Sequence, residues 1–88
     1  MSGSMSGALC CVYIIRSCSE PSRFYTGVTA DVNARIAAHN AGRSPHTSRF
    51  MPWELVVSIE FAEERRAIAF EKYLKSGSGV TFARRHLR

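Results

Sequence analysis

No apolar run in this chain approaches the roughly 18 to 20 residues that a membrane-spanning helix needs, and its opening lacks the charged, apolar and small-residue pattern of an export signal. The expectation is a soluble, cytoplasmic protein with no membrane partner. Internal repeats and low-complexity tracts are missing too, so neither a repeat array nor a biased tail is expected. Cysteine is scarce and odd in number. Cys10, Cys11 and Cys18 lack the C-x-x-C spacing of a zinc site, and His39, His46 and His86 are scattered, so reduced thiols, two of them packed in a strand, account for the cysteines. Acidic side chains are few as well: seven Asp and Glu face twelve Lys and Arg, a net charge of +5. That excess suits a polyanion such as nucleic acid, and it also occurs in proteins that are merely kept soluble by it.

What remains is ordinary globular material, 45% apolar and 22% charged in a chain of 88 residues. A domain of this size buries only roughly 60 to 65% of its unfolded surface, so one core is possible and a second is not. Residues 1–7, MSGSMSG, are small and carry a second methionine at Met5. A flexible leader or a cloning remnant is expected there, with the folded domain at 8–88.

The stretch from Cys11 to Gly27, CVYIIRSCSEPSRFYTG, organises the rest. Two short apolar runs, each holding a tyrosine, flank a polar segment with Pro21 near its middle, which reads as a hairpin. Ala8 to Ile15 is apolar almost throughout, as in a strand covered on both faces and therefore central, and Arg23 to Val28 is its partner. Tyrosines in strands ordinarily pack. Whether Tyr13 and Tyr25 share a face turns on register, since a slip of one residue separates them. Thr29 or Asp31 caps a helix running to about Asn40, which Gly42 ends in a left-handed turn. Val32 and Ile36 form its apolar stripe, and Arg35 and His39, at i and i+4, lie beside it. They are either a snorkelling arginine with a core-edge histidine or a functional pair.

Ala41 to Met51 has loop composition, with Arg43, His46 and Arg49 either solvated or able to reach phosphates. After Pro52, the residues Trp53, Leu55, Val57, Ile59 and Phe61 alternate with Glu54, Val56, Ser58 and Glu60, which predicts a strand with one buried face. Glu63 to Lys75 reads as a second helix, buried along Ala67, Phe70 and Leu74. Glu71 falls beside that stripe, where a carboxylate must find a partner, a salt bridge to Arg35 being the structural option. Gly77 and Gly79 are expected to break the chain before a short basic helix containing Phe82, Arg84, Arg85 and Arg88. The expected architecture is α/β: a three-stranded, mainly antiparallel sheet flanked by helices.

Hydrolysing a phosphodiester takes a water stripped of its proton, a cation on the developing negative charge, and help for the departing oxygen. Tyr13, Arg35 and Glu71 are candidates for such work, and no second carboxylate suggests a two-metal site. A free phenol, with a pKa near 10, is ionised to about one part in a thousand at neutral pH, so tyrosine is a poor base unless cations lower that value. A lone glutamate suits magnesium, which keeps several waters and takes one or two carboxylates plus a phosphate oxygen.

Cys11-Val12-Tyr13 and Tyr25-Thr26-Gly27 resemble the two halves of the GIY-YIG nuclease signature, while PWELV at Pro52 to Val56 and EKYLKSGSG at Glu71 to Gly79 look like the small bacterial single-domain endonuclease branch of that superfamily. The resemblance runs from about Leu9 to Leu87. It implies a metal-dependent DNA endonuclease in which Tyr13 is the general base or orients the water, with Tyr25 in support. By the same resemblance Arg35, in DVNARIAAHN, stabilises the phosphorane-like charge, His39 orients a phosphate or relays a proton, and Glu71 is the ligand of one divalent ion, Mg2+ with Mn2+ able to substitute. The products would carry a 5′-phosphate and a 3′-hydroxyl. Arg43, His46, Arg49, Lys75, Arg84 and Arg85 are the expected DNA contacts. Cys11 stands where the signature has its first glycine, and Thr26 occupies the middle of the second half. No asparagine follows Glu71, which leaves help for the departing oxygen unassigned. Two other readings stay open: a noncatalytic nucleic-acid-binding module, and a catalytic subunit silent until a targeting protein partner joins it.

Overall fold

The structure, a computed structural model, describes residues 10–88; the segment 1–7 and the first two residues of the expected opening strand lie outside that range. Strand β1 (Cys10–Ser17) pairs antiparallel with β2 (Phe24–Thr29) on one side and β3 (Trp53–Phe61) on the other, giving the order β2-β1-β3. Val12, Tyr13, Ile14 and Ile15 are all 1% exposed or less, as expected of a central strand covered on both faces. Cys10, Val12 and Ile14 pack with Ala67 and Leu74 of α2 (Glu64–Leu74) and Ala83 of α3 (Gly77–His86). Tyr13 and Ile15 point the other way, into a cluster with Trp53 and with Val32 and Ile36 of α1 (Val32–Asn40). The α/β architecture thus has one helix on one face of the sheet and two on the other.

Register answers the question about the tyrosines. Tyr13 opposes Gly27 and Ile15 opposes Tyr25, so both tyrosines project from the α1 face as diagonal neighbours. Asp31 rather than Thr29 caps α1, its side chain accepting from the Ala34 N–H at 3.0 Å, while Thr29 turns its hydroxyl to the Asp31 backbone. Gly42, with φ of 76°, supplies the expected left-handed exit.

β3 departs from the simple alternation. A bulge lets Ile14 pair with Val57 but Ile15 with Leu55, so Val56 is an extra residue and the strand changes faces there. Trp53 joins the tyrosine-side cluster, Val57 and Phe61 pack toward α2 and α3, and Leu55 is left 45% exposed. The single buried face read from the sequence is therefore split in two.

Gly77 and Gly79 also do something other than break the chain. The turn lies at Lys75 and Ser76, and α3 begins at Gly77, capped by the Ser76 hydroxyl accepting from the Gly79 N–H at 3.2 Å. A β carbon on Gly79 would sit 1.7 Å from the Tyr73 carbonyl oxygen, so the end of α2 and the start of α3 approach more closely than any side chain permits. Gly79→Ala is expected to cost about 3 kcal/mol, at the upper end of overpacking penalties, and to lower the urea midpoint accordingly. A wild-type midpoint would show that α3 docks elsewhere. Cys10, Cys11 and Cys18 are free thiols, the first two within β1. Among the described residues no helix is long and apolar enough to cross a membrane.

Candidate active site

Tyr13 lies between two small neighbours, opposed by Gly27 on β2 and Ser58 on β3. A β carbon on Gly27 would come within 2.6 Å of the Tyr13 hydroxyl oxygen. The glycine of Tyr25-Thr26-Gly27 is thus the slot into which the tyrosine of Cys11-Val12-Tyr13 fits, a steric link between the two halves of the signature. The Tyr13 hydroxyl is 2.9 Å from His39 Nε2, and His39 Nδ1 is 2.8 Å from the Thr47 hydroxyl. His39 and Thr47 are both buried, at 4% and 1% exposed. Trp53 Nε1 donates to the Thr47 carbonyl at 2.8 Å, and the Asn40 amide brackets the Trp53 backbone by accepting from its N–H and donating to its C=O. Ser17 donates to the Phe50 carbonyl at 2.7 Å, tying the same loop to the end of β1. Tyr25 closes the group, its ring centroid 6.3 Å from that of Tyr13 and 5.0 Å from that of His39.

Thr47 escaped the sequence reading. It stands in the segment of loop composition, between His46 and the short 3-10 turn Ser48–Phe50, and no periodicity marks a side chain that reaches back from a loop. The available signal was modest: a hydroxyl a few residues beyond a helix carrying a histidine. Thr47→Val, nearly isosteric, is expected to leave His39 Nδ1 without a partner and to destabilise the fold by about 1 to 3 kcal/mol, whereas Thr47→Ser keeps the bond. Guanidinium denaturation with imidazole 15N shifts checks this. Unchanged stability and unchanged shifts in Thr47→Val would refute it.

Burial pushes the Tyr13 phenol up to about 12, with the Tyr25 hydroxyl and the Glu71 charge adding to the rise while Arg35, by charge and hydrogen bonding, pulls the other way. The sequence-level condition, that cations bring the phenol down, is not met in the free domain because desolvation outweighs Arg35. Burial and then Arg35 lower the His39 pKa, so the imidazole is neutral at pH 7. A neutral imidazole donates through one nitrogen and accepts through the other, and the two hydroxyls satisfy it in either tautomer.

The folded state holds the Tyr13 proton more tightly than the unfolded chain. Between pH 10 and 12 it therefore binds more protons, so stability present below pH 10 is lost as pH rises to about 12, by roughly 2 to 3 kcal/mol. Ultraviolet titration should show a tyrosine ionising near 12 that is lost in Tyr13→Phe. If no ionisation near 12 depended on Tyr13, the residue would not be buried as described.

Arg35 is exposed on α1. The ion pairs engage Arg16 with Glu54, Arg23 with Glu20, Arg65 and Arg66 with Glu63, and Lys75 with Glu71. Glu71 is thus held by Lys75, one turn along its own helix, and not by Arg35, which stands on the helix across the sheet. Its side chain is 16% exposed, and Lys75 Nζ reaches 5.9 Å from the centre of the Tyr25 ring, so the carboxylate lies at the β2 edge beside the tyrosines. Its charge is felt by Tyr13.

Tyr13, Tyr25, Arg35, His39 and Glu71 accordingly converge from the hairpin, α1 and α2. The expected DNA contacts do not form one patch. Lys75 sits on Glu71, whereas Arg43 flanks the alanine face of α1, and His46 and Arg49 are exposed on either side of Thr47. Arg84 and Arg85 are exposed on α3, across the sheet from α1, without ion-pair partners among the described residues. Among the described residues, no three His, Cys, Asp or Glu side chains gather as a metal cluster.

The fold thus sets paired tyrosines on a hairpin, an arginine and a histidine one turn apart on the following helix and a glutamate on a later one. The chain belongs to the GIY-YIG family: the GIY-YIG catalytic domain matches residues 9–81. Nucleases of this family generally use divalent metals. A UPF0213 protein of Staphylococcus haemolyticus is 40% identical over 68 residues, covering 76% of this chain and 80% of that one. Another, from Lacticaseibacillus paracasei, is 36% identical over 64 residues, covering 72% and 71%. The structure-specific endonuclease subunit SLX1 of Podospora anserina is 40% identical over 70 residues, 73% of this chain but only 20% of the relative. The chain spans about a fifth of the length of the SLX1 relatives it matches.

Proposed function

We propose that this protein is a DNA endonuclease that hydrolyses phosphodiester bonds with one divalent ion, at a site made by Tyr13, Tyr25, Arg35, His39 and Glu71. The buried chain Tyr13–His39–Thr47, with the Glu71 charge close enough to act on the Tyr13 phenol, carries the reading. With its phenol pushed up to about 12, Tyr13 works as a neutral relay: its oxygen takes a proton from the attacking water while its own proton passes to neutral His39 Nε2. The hydroxide so formed adds to phosphorus, the bond to the 3′ oxygen breaks, and that oxygen takes its proton from solvent, leaving a 5′-phosphate and a 3′-hydroxyl. Arg35, exposed and without a carboxylate partner among the described residues, neutralises the charge that builds on the phosphoryl oxygens. Tyr25 packs edge-on against His39 and holds the imidazole in line.

One carboxylate and a substrate phosphate suit a hard, oxygen-seeking ion such as Mg2+, with Mn2+ as substitute, and do not suit zinc. Glu71 would hold the ion, which would supply positive charge to the phosphoryl transition state alongside Arg35. Purified protein incubated with supercoiled plasmid and magnesium is expected to produce nicked circles. Tight, salt-sensitive binding with no nicking in magnesium or manganese would leave the noncatalytic module instead. A second reading follows from relatives that are named as subunits: this domain supplies the chemistry and a protein partner the choice of target. Stimulation of nicking by a co-purifying protein distinguishes it.

A further inference from the structure

A cleft of about 280 Å³ runs from the candidate site between β2 and α3, and Tyr25 and Lys75 belong to both. Leu74, Val80 and Ala83 give it an apolar lining, and Phe24 and Arg88 line it as well. Phe24 and Arg88 also line a second cleft of about 330 Å³ that adds Arg84, so the two form one track along β2. β2 is an edge strand, and its outer backbone groups have no strand partner. No Asp or Glu lines either cleft, and Arg84 and Arg88 have no ion-pair partner among the described residues. The Arg88 guanidinium lies over the Phe24 ring, 4.3 Å from its centre, so that ring presents a face to a planar group.

We propose that this track binds a single strand of DNA adjoining the scissile phosphate, one base stacked on Phe24 and its phosphates on Arg84 and Arg88. An aromatic face, an apolar lining and unneutralised cations along one line are what a single strand uses, each for a different part of the nucleotide. A duplex keeps its base faces stacked inside and has no use for Phe24. A base arriving on the ring takes the place of the guanidinium, which is then free for a phosphate. The inference rests on the nuclease reading and names the form of substrate that reading leaves open.

The test is binding, measured by fluorescence anisotropy with Glu71→Gln protein so that cleavage does not intervene. The probes are a short labelled single strand and the blunt duplex of the same sequence. The double variant Arg84→Glu/Arg88→Glu is expected to weaken single-strand binding by at least about tenfold, and Phe24→Leu by about tenfold, with duplex binding changed by less than about threefold. Arg84 and Arg88 are exposed, so the charge-reversal variant keeps its fold and carries the test should Phe24→Leu not. Losses equal on the two probes, or no loss, or no binding of the single strand by the parent, would overturn the proposal. Plasmid nicking is scored separately. Selective binding without nicking would sink the nuclease reading and leave the track, and nicking with unaffected binding would do the reverse.

Discussion

Glu71→Gln is expected to reduce metal-dependent nicking by about a thousandfold or more while the protein remains folded. The substitution keeps the shape of the side chain and removes the charge that would anchor the ion, and no group of three His, Cys, Asp or Glu side chains among the described residues offers the ion another site. Losing a cation worth several kcal/mol to the transition state corresponds to about three decades in rate at 1.36 kcal/mol per decade. The structural consequence is small, since the ion pair lost is the one with Lys75, an i,i+4 pair whose lysine is exposed to solvent, worth about 1 kcal/mol. Nicking rates on plasmid, set beside a thermal melt, separate the two effects. Nicking within about tenfold of wild type by a well-folded variant would remove Glu71 from the site.

Tyr13→Phe is expected to lower the rate by about 10² to 10⁴, the range for losing a positioned acid–base group. Phenylalanine fills the slot over Gly27 unchanged, so packing is preserved. What disappears is the hydroxyl, and with it the only hydrogen-bond partner of His39 Nε2 among the described residues; leaving a buried imidazole nitrogen unpaired costs about 1 to 3 kcal/mol. A fall in rate together with a modest fall in stability is therefore predicted, and single-turnover kinetics with denaturant titration measure both. Full activity in Tyr13→Phe would mean that water loses its proton elsewhere. Loss of stability without loss of rate would reduce the tyrosine–histidine pair to core packing.

Much of the scaffold was legible because it rests on local rules. The almost unbroken apolar run in β1 announced a central strand, Asp31 stood where a cap belongs, and Gly42 stood where a left-handed residue was needed. The features that escaped depend on contacts between distant segments. The bulge opposite Ile14 and Ile15 shifts β3 by one residue, a property of pairing that alternation within β3 cannot express. Gly79 looked like a breaker because glycine usually is one, yet its role is set by the approach of the Tyr73 carbonyl from the preceding helix.

The candidate site divides in the same way. Tyr13, Arg35, His39 and Glu71 were picked out by motif and helical spacing, but neither reveals that Gly27 makes room for Tyr13 or that Thr47 completes His39. Spacing along α2 favours Lys75 over Arg35 as the partner of Glu71, since residues four apart on a helix are neighbours. The elevated Tyr13 pKa follows from how deeply the ring is covered, and burial depth is a property of the assembled layers.

Crystals grown with a DNA strand blocked against cleavage and soaked in manganese would show where the cation sits through its anomalous scattering. One peak is predicted, bound to the Glu71 carboxylate and a phosphate oxygen, with the Lys75 ammonium moved off Glu71 and the Arg35 guanidinium on the same phosphate. A peak remote from Glu71, or Glu71 still clasped by Lys75 with DNA and manganese bound, would contradict the account.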